Sequence, residues 1–348
     1  MNQPFVCGSI ETSSGKAPVV ESRLRFRDRL GTLKVLCAIG RMNYRVDPGL
    51  YALGAPDADS PVFVSANFKM SFDRLREALP GKNAWVLVLD TDGINVWCAA
   101  GKGTFGTEEL AGRIEASGLA EVVRHRKLIV PQLGAPGISA HEVQRLSGFK
   151  VVYGPVRAAD LSVFMESGMK AAPGMRIKTF TICERLSLVP VEMVHAFKTL
   201  LMVLPVVFLL SGLGFHGGFV SSALRLGAFN TLGLIMAIAA GCLLTPALLP
   251  WLPGRAFSLK GVWPGIACAL LFLMLRNATS ALPVAGVMES AAWMLIIPAV
   301  SAYLAMNFTG CSTFTSLSGV KKEMRYAVPA QIAVFALGAV AWIVSIFV

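Results

Sequence analysis

The chain has 348 residues, 54% of them hydrophobic and 15% charged, with a formal net charge of +11. That is too apolar for an ordinary soluble protein, and no basic stripe interleaves with aromatic residues as in a nucleic-acid binder. The seven cysteines, Cys7, Cys37, Cys98, Cys183, Cys242, Cys268 and Cys311, form no C-x-x-C pair and no Cys/His cluster. This argues against a disulfide framework, structural zinc or an iron–sulfur cluster in this chain, so electrons for any redox step must come from another protein.

Charge divides the chain in two. Residues 1–193 carry 24 of the 32 Lys and Arg and 19 of the 21 Asp and Glu, which predicts a water-soluble domain followed by a membrane domain. The first 30 residues read as a flexible arm. Its basic run of Arg23, Arg25, Arg27 and Arg29 reads as solvated or membrane-proximal. The stretch from Met1 to Lys16 lacks the apolar segment of about 7–15 residues that a signal peptide needs, so the soluble domain is expected in the cytoplasm.

Over residues 31–190, short apolar runs alternate with polar helical stretches. Strands are expected at 33–39, 62–66, 85–90, 127–130 and 151–153, and helices at 71–79, 108–117, 140–147 and 159–167. The alternation predicts an α/β Rossmann-like domain, a parallel sheet covered by helices, with ligands beyond the carboxyl ends of the strands. Three Gly- and Pro-rich loops fall there, at 91–106, 131–137 and 154–157, and would bring backbone N–H groups close to a ligand.

Residues 191–348 read as an all-α membrane domain. Five stretches, at about 194–214, 227–249, 261–275, 287–308 and 326–348, meet the requirement of about 20 apolar residues per span, the third being the shortest. Arg255 and Lys260 lie in one loop, and Lys321, Lys322 and Arg325 in another on the same side. The positive-inside rule then puts those loops and the soluble domain in the cytoplasm and Val348 outside. The spans are nearly free of ionisable groups at depth, which favours an anchor or assembly platform over a conduit. Gly261 and Gly265 form one G-x-x-x-G, a weak sign of close helix packing.

The residue that stands out is Cys98, in Asn95-Val96-Trp97-Cys98-Ala99-Ala100-Gly101-Lys102. As a helical segment it places positions 98, 101, 102 and 105 on one face: a thiol, no side chain, a cation and an aromatic. A planar macrocycle can lie on that face with its metal above the sulfur, with Lys102 favouring the anionic form of sulfur. Trp97 would point away and pack the helix on the domain. Rival readings are weaker. Gly101-Lys102-Gly103-Thr104-Phe105-Gly106 fits G-x-G-x-x-G, but eleven positions separate Asp90 from Gly101, whereas a dinucleotide site has its first glycine directly after the strand. A catalytic thiol needs a base, and the soluble half offers only His125 and His141, neither in a protease context. A buried structural cysteine is the bland alternative.

The segment 95–102 resembles the cap-helix motif of the HgcA family, the membrane corrinoid proteins of microbial mercury methylation, which is related to the corrinoid iron–sulfur protein of the acetyl-CoA pathway. The resemblance extends to Tyr153-Gly154-Pro155-Val156-Arg157-Ala158, to 307–318 and to Lys321-Lys322-Glu323. The acetyl-CoA relative lacks the cysteine and carries a cluster-binding segment absent here. The resemblance implies a cobalamin-type corrinoid with Cys98 as lower axial cobalt ligand. It implies that Ala99, Ala100 and Gly101 give clearance, that Asn95 and Lys102 hold helix and ring, and that Val96 and Trp97 complete the segment. Gln132, Gly134 and Gly137, with Tyr153, Gly154, Pro155, Val156 and Arg157, would cradle the corrin and its tail.

The implied activity is transfer of a methyl group to mercury(II), with a ferredoxin-like iron–sulfur protein as reductant and a methyltetrahydrofolate-linked donor. A soft donor trans to the methyl group pushes electron density toward the bond that must break. Cys311 is a second thiol that could receive mercury, though a lipid-facing structural role is the simpler reading. Two other functions are open: a methyl carrier of one-carbon metabolism, and a membrane transport or receptor subunit whose soluble domain binds a nucleotide.

Overall fold

Strands that are apolar at nearly every position must be covered on both faces, and two such runs form the middle of the N-terminal sheet. The computed structural model describes residues 3–214, 218–279, 286–309 and 317–347. They fall into two units, Met1–Thr179 and Phe180–Val348. Among the described residues one sheet runs in the order β1 (Val6–Thr12), β2 (Gly15–Val20), β3 (Gly49–Leu53), β5 (Ala84–Leu89), β4 (Val62–Ala66), β6 (Lys127–Val130), β7 (Lys150–Tyr153). Every residue of β4 and β5 is buried.

The strands β5, β4, β6 and β7 are mutually parallel. The sheet as a whole is mixed: β1 and β2 form an antiparallel hairpin, and β3 runs antiparallel to β5. Helices α1 (Phe26–Leu36), α2 (Lys69–Glu77), α3 (Val96–Lys102), α4 (Thr107–Ala116), α5 (Leu119–Val122), α6 (Ala140–Ser147) and α7 (Leu161–Glu166) complete the first unit. Two apolar clusters result. One gathers Leu87, Leu110, Leu128 and Phe149 with α3 and α4, the other Phe63, Phe72, Val86 and Phe164.

Three expectations are corrected. Residues 6–20 are strands, because Ala17, Pro18 and Val20 are buried as β2 pairs with β3. Residues 33–36, expected to begin a strand, belong to α1. Its inward side carries Asp28 and Val35, seven residues apart, and Asp28 meets Lys69 (2.7 Å) and Arg76 (2.9 Å) of α2. The boundary between units lies at Thr179/Phe180 instead of 190/191, since α8 (Ile182–Leu186) belongs with the second unit, where the Arg185 guanidinium donates to the Ala247 carbonyl (3.2 Å).

The second unit is helical among the described residues: α9 (Val189–Gly212), α10 (Phe219–Ile238), α11 (Thr245–Leu248), α12 (Phe257–Ala278), α13 (Val287–Met306) and α14 (Leu317–Ser345). A π-helical stretch, Ala239–Leu244, joins α10 to α11. Five stretches are long and apolar enough to cross a membrane, at Ile182–Gly212, Phe219–Leu248, Phe257–Ala278, Val287–Met306 and Ser318–Ser345. The third is longer than the sequence reading allowed. Gly261 and Gly265 bring α12 close to α13: a Cβ on Gly261 would lie 2.8 Å from the Ala302 Cα, and one on Gly265 2.6 Å from the Pro298 Cα. The Ser301 hydroxyl donates to the Gly261 carbonyl at 2.7 Å. Arg276, near the end of α12, is buried and pairs with Glu289 at the start of α13 (3.1 Å), the compensation a charge needs out of water. Cys311 lies outside the described residues.

Candidate functional site

The four parallel strands deliver their following loops to one edge of the sheet, and the loop after β5 is fixed by a single amide. Asn67, one residue past β4, accepts on Oδ1 from the backbone N–H of Thr91 (3.1 Å) and Gly93 (2.9 Å). The Thr91 hydroxyl lies within reach of Asn67 Oδ1 (2.8 Å) and the Ile94 carbonyl (2.7 Å), to either of which it donates its one hydrogen, and Asn67 Nδ2 donates to Asp90 (2.9 Å). Asp92 and Gly93 both take positive φ, 56° and 70°. Glycine takes this conformation at 93 without strain, and a Cβ there would lie 2.6 Å from Arg45 Nε, so the Arg45 side chain would have to shift.

From this braced turn α3 starts at a formed cap. Asn95 Oδ1 accepts the Cys98 N–H at 2.9 Å, satisfying a donor the helix cannot satisfy itself. The helix stops after Lys102 because Gly103 turns left-handed, φ 88°. Within it Cys98 is half-buried, while Gly101 and Lys102 are exposed. Nothing lies within 4 Å of where a Gly101 Cβ would stand. Positions 98, 101 and 102 thus line one outward side.

The inward side differs from expectation. Ala99, Ala100 and Phe105 are core residues, so they do not give clearance or an aromatic to an outer ligand. Phe105 turns inward because the chain leaves the helix at Gly103, and its N–H reaches back to the Ala99 carbonyl (3.2 Å). Val96, at the margin of that core, does packing expected of Trp97, which is half-buried and outside the apolar clusters.

The loop after β6 is a 3-10 turn, Gln132–Gly137, packed against α3. Gly134 lies under the Phe105 ring, and a Cβ on Gly137 would fall on the Phe105 carbonyl oxygen and 3.1 Å from the Ala100 Cα. These two glycines let the turn approach α3, a packing role in place of the ligand clearance expected of them. Ser139 N–H donates to Thr107 Oγ1 (2.8 Å), tying the same loop to α4. Two buried side-chain atoms on the paired segments, Thr104 Oγ1 and Gln132 Oε1, have no partner among the described residues.

After β7, the Tyr153 hydroxyl donates to the Ile138 carbonyl (2.7 Å), and burial pushes its pKa up. It therefore braces the neighbouring loop. Gly154 and Pro155 are buried, half-buried Val156 donates its N–H to the Met175 carbonyl (2.8 Å), and Arg157 is exposed. Residues 95–102 and 132–137 are in contact, and Tyr153 is bonded to the end of the second segment. Of the residues proposed for the third loop, Arg157 alone presents an exposed side chain. Sequence reasoning missed Asn67; its signal is a side-chain amide directly past an apolar strand.

Residues 34–164 match the family described as CO dehydrogenase/acetyl-CoA synthase delta subunit. That stretch holds β3 through β7 and all three loops. Among individual proteins, this chain is similar to the acetyl-CoA decarbonylase/synthase complex subunit gamma of Archaeoglobus fulgidus, 33% identical over 128 residues, which is 36% of this chain and 27% of that protein. The Methanopyrus kandleri subunit gamma is 32% identical over 35% of this chain and 26% of its own length. The corrinoid/iron-sulfur protein large subunit of Moorella thermoacetica is 28% identical over 36% and 28% respectively. The chain thus spans about a quarter of the length of these relatives, and the family match lies within the α/β unit.

Proposed function

We propose that the α/β unit binds a cobalt corrinoid over the outward side of α3, and that the chain carries a methyl group to mercury(II). The observation that carries this is the half-buried Cys98 thiol on a capped helix, beside open space at Gly101. Similarity to a protein named as a corrinoid/iron-sulfur large subunit supports the cofactor class. The residues present fit such a group. A soft sulfur faces outward, the exposed Lys102 ammonium lies one turn on, and the partnerless Thr104 Oγ1 and Gln132 Oε1 are polar atoms that a polar ligand group or water would satisfy.

When bound, the cofactor supplies a cobalt–carbon bond from which a methyl group is handed on. Cys98 would hold the metal through sulfur, and Asn95 fixes where that sulfur stands by holding the Cys98 backbone. Lys102 and exposed Arg157 offer cations to polar groups at the periphery. The Asn67 network keeps the approach to α3 rigid, so the sulfur is presented without a reordering cost. Mercury(II) is a soft electrophile, and a soft sulfur donor from Cys98 on the metal would favour handing the methyl group to it. The proposed reductant is a ferredoxin-like iron–sulfur protein, and the proposed methyl source is methyltetrahydrofolate-linked. The five apolar helices would span the cytoplasmic membrane, with the α/β unit in the cytoplasm and the C-terminus outside.

A second reading, a methyl carrier in one-carbon metabolism, is favoured by the relatives' names, which refer to acetyl-CoA decarbonylase/synthase. Assay of membranes carrying the full chain, with reductant, methyl donor and mercury(II), separates the two. The mercury reading expects methylmercury from the native chain and a loss of at least about 100-fold, some 2.7 kcal/mol of barrier, in Cys98→Ala. Cys98→Thr should retain corrinoid and lose the product. Equal methylmercury from the Ala variant and the native chain removes the sulfur from the reaction.

A further inference from the structure

The outer side of α1 is not used by the site. Around this helix Phe26, Leu30 and Leu33 follow the i, i+4, i+7 spacing, so they form one ridge. All three are exposed, Phe26 at 78% and Leu33 at 57%. The ridge lies opposite the inward Asp28 and Val35. Cations border it: Arg29 on one side, Arg27 and Lys34 on the other, all exposed. The only acid on the helix, Asp28, is turned inward and neutralised by Lys69 and Arg76. Past the helix end Ile39 and Met42 (62%) are exposed as well, with exposed Arg45 nearby in sequence.

We propose that this face of α1 docks on the anionic phospholipid headgroups of the bilayer, as an interfacial helix lying in the plane of the surface. An apolar ridge edged by long cationic side chains matches that boundary: the ridge enters the acyl margin while Arg and Lys reach phosphates. A second copy of the same face would bring like charges together. The inference rests on the reading that the second unit spans a bilayer, which holds the first unit near such a surface.

The test uses the full chain in proteoliposomes, with photoreactive benzoylphenylalanine replacing Leu30 in one preparation and Val163, an exposed apolar residue on α7, in another. Vesicles are phosphatidylcholine alone or with phosphatidylglycerol, and adducts are read by mass spectrometry. Expected are lipid adducts at position 30 severalfold above those at 163, dependent on phosphatidylglycerol and lost in the Arg27→Glu/Arg29→Glu/Lys34→Glu chain. Protein adducts to a second copy, yields no higher than at 163, or equal yields on neutral vesicles overturn the docking while leaving the anchor intact. A chain that does not float with the vesicles overturns the spanning reading and the docking together.

Discussion

Cys98 owes its orientation to Asn95, whose side chain spends its acceptor on the Cys98 N–H. Replacing an N-cap amide by alanine typically costs about 1 kcal/mol, and here the helix it starts is only seven residues long. Asn95→Ala should therefore lower the unfolding free energy of the α/β unit by about 1 kcal/mol and loosen the cofactor, seen as reduced corrinoid occupancy at unchanged expression; unchanged occupancy would separate the cap from the site. The amide three positions before the cysteine was legible in sequence, because caps are local. The inward turn of Phe105 was not. Reading the helix through 105 placed the ring outward, whereas Gly103 ends the helix two residues earlier and reverses it. Asn67 was invisible for another reason: it serves a turn on a neighbouring strand, a relation that only the sheet order reveals.

Elements explain the other surprises. The run 33–39 is apolar enough to suit a strand or a buried helix, and a run that short does not decide between them by period. The buried Asp28, two turns before Val35, decides it for α1, since the aspartate must reach Lys69 and Arg76 on α2. Burial pushes the Asp28 carboxyl up, but hydrogen bonds from Lys69 and the Arg25 N–H and the Lys69 charge outweigh that and hold it below the usual range. A lowered folded value means this contribution is complete above the unfolded pKa, about 3.9, and is lost as pH falls through the folded one. Amide protection factors in α1, taken against the intrinsic rate at each pH, should fall below about pH 4 before those of β4 and β5; a uniform fall would show that the ion network does not hold the helix. The strands β4 to β7 were legible because they read as nearly continuous apolar runs, β4 and β5 being buried at every position. The hairpin β1–β2 was hidden by its half-exposed, polar composition. Contact between the 132–137 turn and α3 makes Gly137→Ala a sharp probe. Overpacking of this kind costs about 1–3 kcal/mol, and a chain as stable as native would show that the turn can move away.

At the scale of the whole molecule, charge segregation announces two units, and the helices long enough to cross a membrane fall in the second, Phe180–Val348, which holds four of the 21 acidic residues. The π-helical stretch at Ala239–Leu244 was not legible, because its wider turn answers to packing: a Cβ on Gly241 would lie 2.7 Å from the Ser301 carbonyl oxygen. The same holds for the Arg276–Glu289 pair, which sequence separates by thirteen positions and the fold joins. The central claim, that Cys98 sulfur holds the metal of a bound corrinoid, is tested most directly by cobalt X-ray absorption on the full-length chain purified with its cofactor. One sulfur scatterer is expected in the first coordination shell, replaced by nitrogen or oxygen in Cys98→Ala. A first shell of nitrogen and oxygen alone in the native chain, identical in the variant, would contradict it.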